Sequence, residues 1–156
     1  NYPQAEHRHA LRMAFEVIAT TSESLLLEST ISIQTDLLDS HPKIDIELDG
    51  KSVQTLNLND GKDQGTNQTG SAAVTIVRSD TVFAAIFLGP HDSPFTTDLS
   101  TPESLKLRLF GEFLEKGVIR KARPWILISR ATNEPIESEL LDIWQQLANR
   151  PLPLAS

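Results

Sequence analysis

The chain contains no cysteine. This absence excludes thiol nucleophiles, redox cysteine pairs, disulfides and cysteine-ligated zinc or iron–sulfur centres. No cofactor is expected from the remaining residue types. The compartment is not fixed by the missing thiols, and a soluble protein of the cytoplasm is the favoured assignment.

Long apolar runs and positive charge are also scarce. The longest apolar patch, VFAAIFLGP, has the length of a strand and not of a membrane helix, so we expect no membrane span. Lysine and arginine number 14 against 21 acidic residues, for a net charge of -7. The summed field repels polyanions, which makes nucleic acid an unfavoured partner. A hydrophobic content of 39% is globular, and 156 residues fit a single domain over 1–156.

Alternating apolar residues dominate the N-terminal part of the chain. Leu11, Met13, Phe15 and Val17 follow a period of two, and a second alternation runs through 27–35. Two long strands joined by the Ser/Thr-rich turn TTSES are the predicted structure. A helix over 5–19 is the alternative, because some of the same residues share a helical face.

Turn residues predict two hairpins farther along. Asp49-Gly50 ends an alternating segment and is typical of a type I′ turn, so KIDIELDGKSVQTLNL is predicted to be a hairpin. Ser79-Asp80 separates two further strands, and the second of these is apolar on both faces, as in a central buried strand. The polar, glycine-rich segment 59–70 between the hairpins is predicted to be a loop.

Residues 102–116 admit two structures. Thr101, Pro102 and Gly117 provide the start and stop signals of a helix. The strict alternation of LKLRL, and Gly111 in what would be the helix interior, favour a strand.

A strand here would continue into a hairpin through Glu115–Gly117, with Glu112 opposite Arg120. Pro124 then predicts a bulge or an edge position. That register places one set of apolar residues on a common face as the candidate core: Leu105, Leu107, Leu109, Phe113, Ile119, Trp125 and Leu127.

The C-terminal region has the clearest helical pattern, over about 135–149. Pro135 and early glutamates mark its start, and an apolar stripe recurs at helical spacing: Ile136, Leu140, Ile143, Trp144 and Leu147. We therefore predict a mainly β protein, an antiparallel β-sandwich or rolled sheet of about eight strands with a C-terminal helix. The class becomes α+β if 102–116 is helical.

A cluster of cations lies close to a tryptophan in EKGVIRKARPWILIS. Arg120, Lys121, Arg123 and Trp125 are the candidate ligand-binding residues, because cations beside an indole can hold a phosphate or carboxylate. The other interpretation, which the acidic net charge favours, is a solvated sheet surface with the cationic heads in water.

Histidines offer a weak metal hypothesis. His7 and His9 would project from one face of a strand, and His41 and His91 would have to converge with them. Zinc needs three or four converging ligands, so we expect no metal site.

No nucleophile elbow, phosphate-binding loop or dinucleotide fingerprint occurs in the sequence. The favoured function is a non-catalytic binding or structural β-domain, either alone or as part of a longer chain, with a protein partner or self-association as the candidate interaction. The alternative is a small metal-dependent or acid–base enzyme using the scattered histidines.

Overall fold

The computed structural model describes residues 9–58 and 72–151, which form ten strands and one α-helix. The segment 59–70 and His7, on which sequence-based predictions were made, lie outside these ranges. In chain order the elements are β1 His9–Thr20, β2 Ser24–Thr35, β3 Lys43–Asp49, β4 Ser52–Leu58, β5 Ala72–Arg78, β6 Val82–Phe87, β7 Thr96–Asp98, β8 Ser104–Phe110, β9 Ile119–Ala122, β10 Trp125–Arg130 and α1 Glu137–Asn149.

Two antiparallel sheets and the helix form three layers. The large sheet has the order β1-β2-β10-β6-β5-β4, with β9 also paired to β2, and the small sheet has the order β3-β8-β7. The small sheet covers one face of the large sheet, and α1 packs on the other. The predicted mainly β class with a C-terminal helix is confirmed. The segment LKLRL is the strand β8, as its alternation indicated.

Strand β2 organises the large sheet. It forms the predicted long hairpin with β1. Its other edge pairs first with β10, over Ser24–Glu28, and then with β9, over Ile31–Gln34. Pro124 lies between β9 and β10, where its carbonyl accepts a hydrogen bond from Ser29 N–H. The proline interrupts the strand as expected, but it is buried and not at an edge.

Strand β6 is the central strand that the sequence predicted. It pairs with β10 on one side and β5 on the other, and Phe83 through Phe87 are all buried. Successive side chains contact opposite layers, since Phe83, Ala85 and Phe87 pack on the helix side and Ala84 and Ile86 on the small sheet. Burial on both faces explains the continuous apolar run.

The predicted hairpin at Asp49-Gly50 is wrong. Strand β3 pairs with β8 in the small sheet and β4 pairs with β5 in the large sheet, so the turn connects the two layers. Gly50 does not adopt a positive φ. A side chain at Gly50 would place its Cβ 2.4 Å from Val77 Cγ2 and 2.8 Å from Arg78 O, so close approach to β5 requires glycine here.

The predicted hairpin at Glu115–Gly117 is also wrong, although Gly117 has the expected positive φ of 80°. Phe110 and Gly111 have φ of 63° and 93° and redirect the chain at the end of β8. Strand β9 therefore joins β2 in the other sheet, and Glu112 is not its partner. The candidate core divides accordingly: Leu105, Leu107 and Leu109 pack between the sheets, Trp125 and Leu127 under the helix, while Phe113 and Ile119 are exposed.

Helix α1 docks through part of the predicted stripe. Leu140 and Leu147 are buried, and Ile143 and Trp144 are half-buried against the same cluster. Trp144 Nε1–H donates to Leu88 O at 3.0 Å. Ile136 is exposed because it precedes the first turn, where its N–H donates to the Glu139 carboxylate. No helix among the described residues has the length and apolar character needed to cross a membrane.

An ion-pair network on the outer face of the small sheet gives a pH-dependent prediction. Arg108 binds both oxygens of Asp45 at 2.8 Å, and Lys106 contacts Asp45 and Glu47. The hydrogen bonds from Arg108, and secondarily those from Lys106, hold the pKa of the Asp45 carboxyl well below its ordinary value of 3.8. A depressed pKa stabilises the fold above the ordinary value, and this contribution is lost as the pH falls through the folded-state pKa.

Asp45→Asn should therefore lower the free energy of unfolding at about pH 7. At about pH 2.5 the free energies of unfolding of the variant and the wild type should differ less than they do at about pH 7. Urea unfolding at the two pH values measures both quantities, with Asp36→Asn, at an exposed loop position, as the control. A difference between variant and wild type that is the same at both pH values would contradict the assignment.

Candidate functional site

A cleft of about 240 Å³ lies where β9, the turn after β6 and the C-terminal end of α1 meet. Arg120 and Lys121 line it from β9, His91 and Asp92 from the turn, and Arg150 from the residue after the helix. Phe95, Pro90 and Leu147 contribute apolar surface. The cleft therefore combines several cations with an apolar wall, which is the usual composition of a small-molecule site.

The buried carboxylate of Glu28 forms ion pairs with two arginines that line the cleft, Arg123 and Arg150. Glu28 is 6% exposed, and its Oε2 accepts the indole N–H of Trp125 at 2.8 Å. The same oxygen lies 3.2 Å from Arg150 Nε and 3.6 Å from Arg123 Nε. One carboxylate thus fixes an indole and two guanidinium groups beneath the cleft.

The Arg123 side chain is fully engaged. Its Nη1 and Nη2 donate to the carbonyl oxygens of Pro151 and Arg150, at 2.6 and 3.2 Å. These are carbonyls just past the helix, where a cation is favoured by the helix dipole. Because the Arg123 side chain is 11% exposed, it positions the cleft wall and has little surface left for a ligand.

Arg120 and Lys121 differ from Arg123 in their partners. The Arg120 guanidinium lies 5.6 Å from the centre of the Phe95 ring, a cation–π distance. Neither Arg120 nor Lys121 has an ion-pair partner within residues 9–58 and 72–151. The two neighbouring cations are thus available to a ligand.

Asp92 supplies negative charge at the same place. Burial raises the pKa of its carboxyl, and the hydrogen bond from the Arg123 backbone N–H, at 2.8 Å, together with the nearby Arg123 and His91, opposes that rise. The acidic group offsets part of the cationic field of the cleft.

The structure brings together three of the four predicted site residues. Arg120, Lys121 and Arg123 line the cleft, whereas Trp125 is 2% exposed and lies in the core beneath it. Sequence reasoning missed Glu28, Asp92 and Arg150. Glu28 had a detectable signal, because a charged residue follows Leu26 on the buried face of an apolar strand.

The histidines occupy separate parts of the fold. His91 lines the cleft, His41 packs against Phe113 with ring centres 5.9 Å apart, and His9 begins β1. No group of three potential metal ligands forms among the described residues. The convergence that the enzyme hypothesis requires is absent from this part of the chain.

A functional assignment for the cleft rests on its geometry. The chain matches no protein-family model, no curated protein and no solved structure at a significant level.

Proposed function

We propose that this β-domain is a non-catalytic binding module whose cleft holds a small organic anion, a carboxylate or phosphate with an apolar part. The observation that carries the proposal is the pair Arg120 and Lys121, which line the cleft and have no ion-pair partner in the described part of the chain. Charged hydrogen bonds to such an anion are stronger than neutral ones.

The surrounding residues support binding by a preformed site. Glu28 and the carbonyls past α1 immobilise Arg123 and Arg150, so the cleft walls are ordered before a ligand arrives. Preorganised walls reduce the entropy that binding costs. Phe95 and Leu147 provide contact for the apolar part of the ligand.

Inorganic phosphate and benzoate are suitable probes, since one carries only the anion and the other adds an apolar ring. Titrating each into isotope-labelled protein should shift backbone NMR signals of residues 89–95, 120–123 and 147–150. Lys121→Gln should weaken binding of both probes by about three- to tenfold, because it removes one charged hydrogen bond. Benzoate should bind more tightly than phosphate if the apolar wall takes part.

Lys116→Gln is the matched control, because Lys116 is an exposed cation of the same segment that does not line the cleft. Signal shifts scattered over the whole surface, or equal weakening by the two substitutions, would reject the cleft as the binding site.

A further inference from the structure

Strand β1 presents an unusual edge. Among the described residues its only hydrogen-bonded neighbour is β2, so its outer edge is unpaired over twelve residues. Such an edge usually carries proline, lysine or a covering segment that prevents pairing with another chain. Strand β1 has no lysine or proline. The opposite edge of the sheet, strand β4, differs because the segment before β8 contacts it: Val53 N–H donates to Pro102 O.

The side chains of β1 are as exposed as its edge. Leu11, Met13, Phe15 and Val17 point to one face and are 55%, 50%, 62% and 57% exposed. Arg12 and Glu16 point to the other face, where Glu16 lies 2.9 Å from Arg150. Four large apolar side chains in one row exceed the scattered exposure that is normal for a protein surface.

The order of residues in β1 is self-complementary. In an antiparallel pair, opposed residues lie on the same face, so a twofold axis at Ala14 places residue i opposite residue 28 − i of a second copy. Arg12 then faces Glu16, Met13 faces Phe15 and Leu11 faces Val17. Moving the axis to Met13 or Phe15 removes the Arg12–Glu16 pairing. Charge and apolar matching thus agree on one register.

From this complementarity we infer that β1 is a dimer interface, at which two copies of the chain pair their β1 strands antiparallel about Ala14 and extend the large sheet across the twofold axis. His9–Val17 pairs with β2 in one uninterrupted register, and the register shift comes only after Val17, outside the proposed interface. Arg12 has no ion-pair partner in the described ranges, and Glu16 keeps a 62% exposed side chain. Arg12 is therefore available to pair across the axis, whereas Glu16 would share its carboxylate between Arg12 of the second copy and Arg150 of its own chain. The inference does not depend on a ligand in the cleft.

Charge-reversal variants of Arg12 and Glu16 test this interface. Sedimentation velocity over a range of protein concentrations measures their self-association. The wild type should form a reversible dimer. Arg12→Glu would place a second carboxylate opposite Glu16, and Glu16→Arg would place a second guanidinium opposite Arg12. Each variant alone should therefore dimerise about tenfold more weakly, with two like-charge pairs per dimer. An equimolar mixture of the two variants should recover wild-type association, because each interface pair is again of opposite charge.

Arg130→Glu, at an exposed position outside β1, controls for the change in net charge. Circular dichroism and urea unfolding show whether each variant is folded. A wild type that stays monomeric at all concentrations would overturn the inference and leave the edge to a different partner. A dimer whose association is unaffected by the two substitutions, or a mixture of variants that fails to associate, would overturn it equally.

Discussion

Glu28→Ala is expected to lower the free energy of unfolding by about 3 to 5 kcal/mol, because it removes the carboxylate that compensates a buried cation. Arg123 would lose its ion-pair partner while remaining 11% exposed, and the buried indole N–H of Trp125 would lose its acceptor. Within the described residues, Glu16 would then be the one remaining ion-pair partner of Arg150. The loss combines an uncompensated charge with an unsatisfied buried donor.

Urea unfolding followed by tryptophan fluorescence measures this effect. Glu28→Gln should be less destabilising than Glu28→Ala, because its amide oxygen can still accept the indole hydrogen bond while the charge is gone. Glu115→Ala, in an exposed turn, should change stability by less than about 0.5 kcal/mol. If Glu28→Ala falls in that same small range, the carboxylate does not organise the floor of the cleft.

Leu140→Ala should cost about 2 to 5 kcal/mol, the range measured for removing a leucine side chain from a packed core. Leu140 is 2% exposed and packs with Phe83, Phe87 and Leu58 between α1 and the large sheet. The cost reflects both lost burial and the cavity left behind. The same substitution at Ile136, which is exposed and precedes the first turn, should have little effect, so the pair compares a buried apolar side chain with an exposed one.

Two measurements on Leu140→Ala and Ile136→Ala show whether α1 docks on its own sheet or serves in association between chains. Thermal and urea unfolding report the stability of each variant, and sedimentation reports its association. We expect a large shift of the unfolding midpoint for the first variant and unchanged association for both. Similar stability of the two variants would mean that the helix is not docked on its own sheet.

Local features of this fold could be predicted where neighbouring residues determine them. The strand β8 follows from the alternation of LKLRL, and α1 follows from its apolar spacing and acidic first turn. The turn at Ser79-Asp80 joins β5 and β6, which pair directly. In these segments propensity, periodicity and tertiary packing agree.

Strand partners could not be predicted in the same way. Asp49-Gly50 has the composition of a hairpin turn, yet the strands on either side find better burial in different sheets. The change of chain direction at Phe110 and Gly111 likewise could not be predicted, because a positive φ is rare for phenylalanine and local sequence does not indicate it.

In the candidate site, too, residues adjacent in sequence could be predicted and residues brought together by the fold could not. Arg120, Lys121 and Arg123 are adjacent in sequence and were recognisable as a cluster. Glu28, Asp92 and Arg150 join them only through the pairing of distant strands and the docking of α1. The sequence also could not show that the Trp125 indole is turned inward to a carboxylate.

The position of β10 has a consequence for how the chain reaches its native state. Strand β10 is the last of the described strands in chain order, yet it lies between β2 and β6 and pairs Ile126 with Leu27 and with Ile86. Strand β10 supplies the backbone hydrogen bonds that join the β1–β2 hairpin to the β4–β5–β6 meander. Before residues 125–130 have left the ribosome, these bonds cannot form, and β2 and β6 each expose the edge that β10 later covers. Contacts of such long sequence separation slow folding. We therefore expect both of these edges to stay open until β10 is inserted, a stage at which chaperone binding or misassembly between chains can compete with folding.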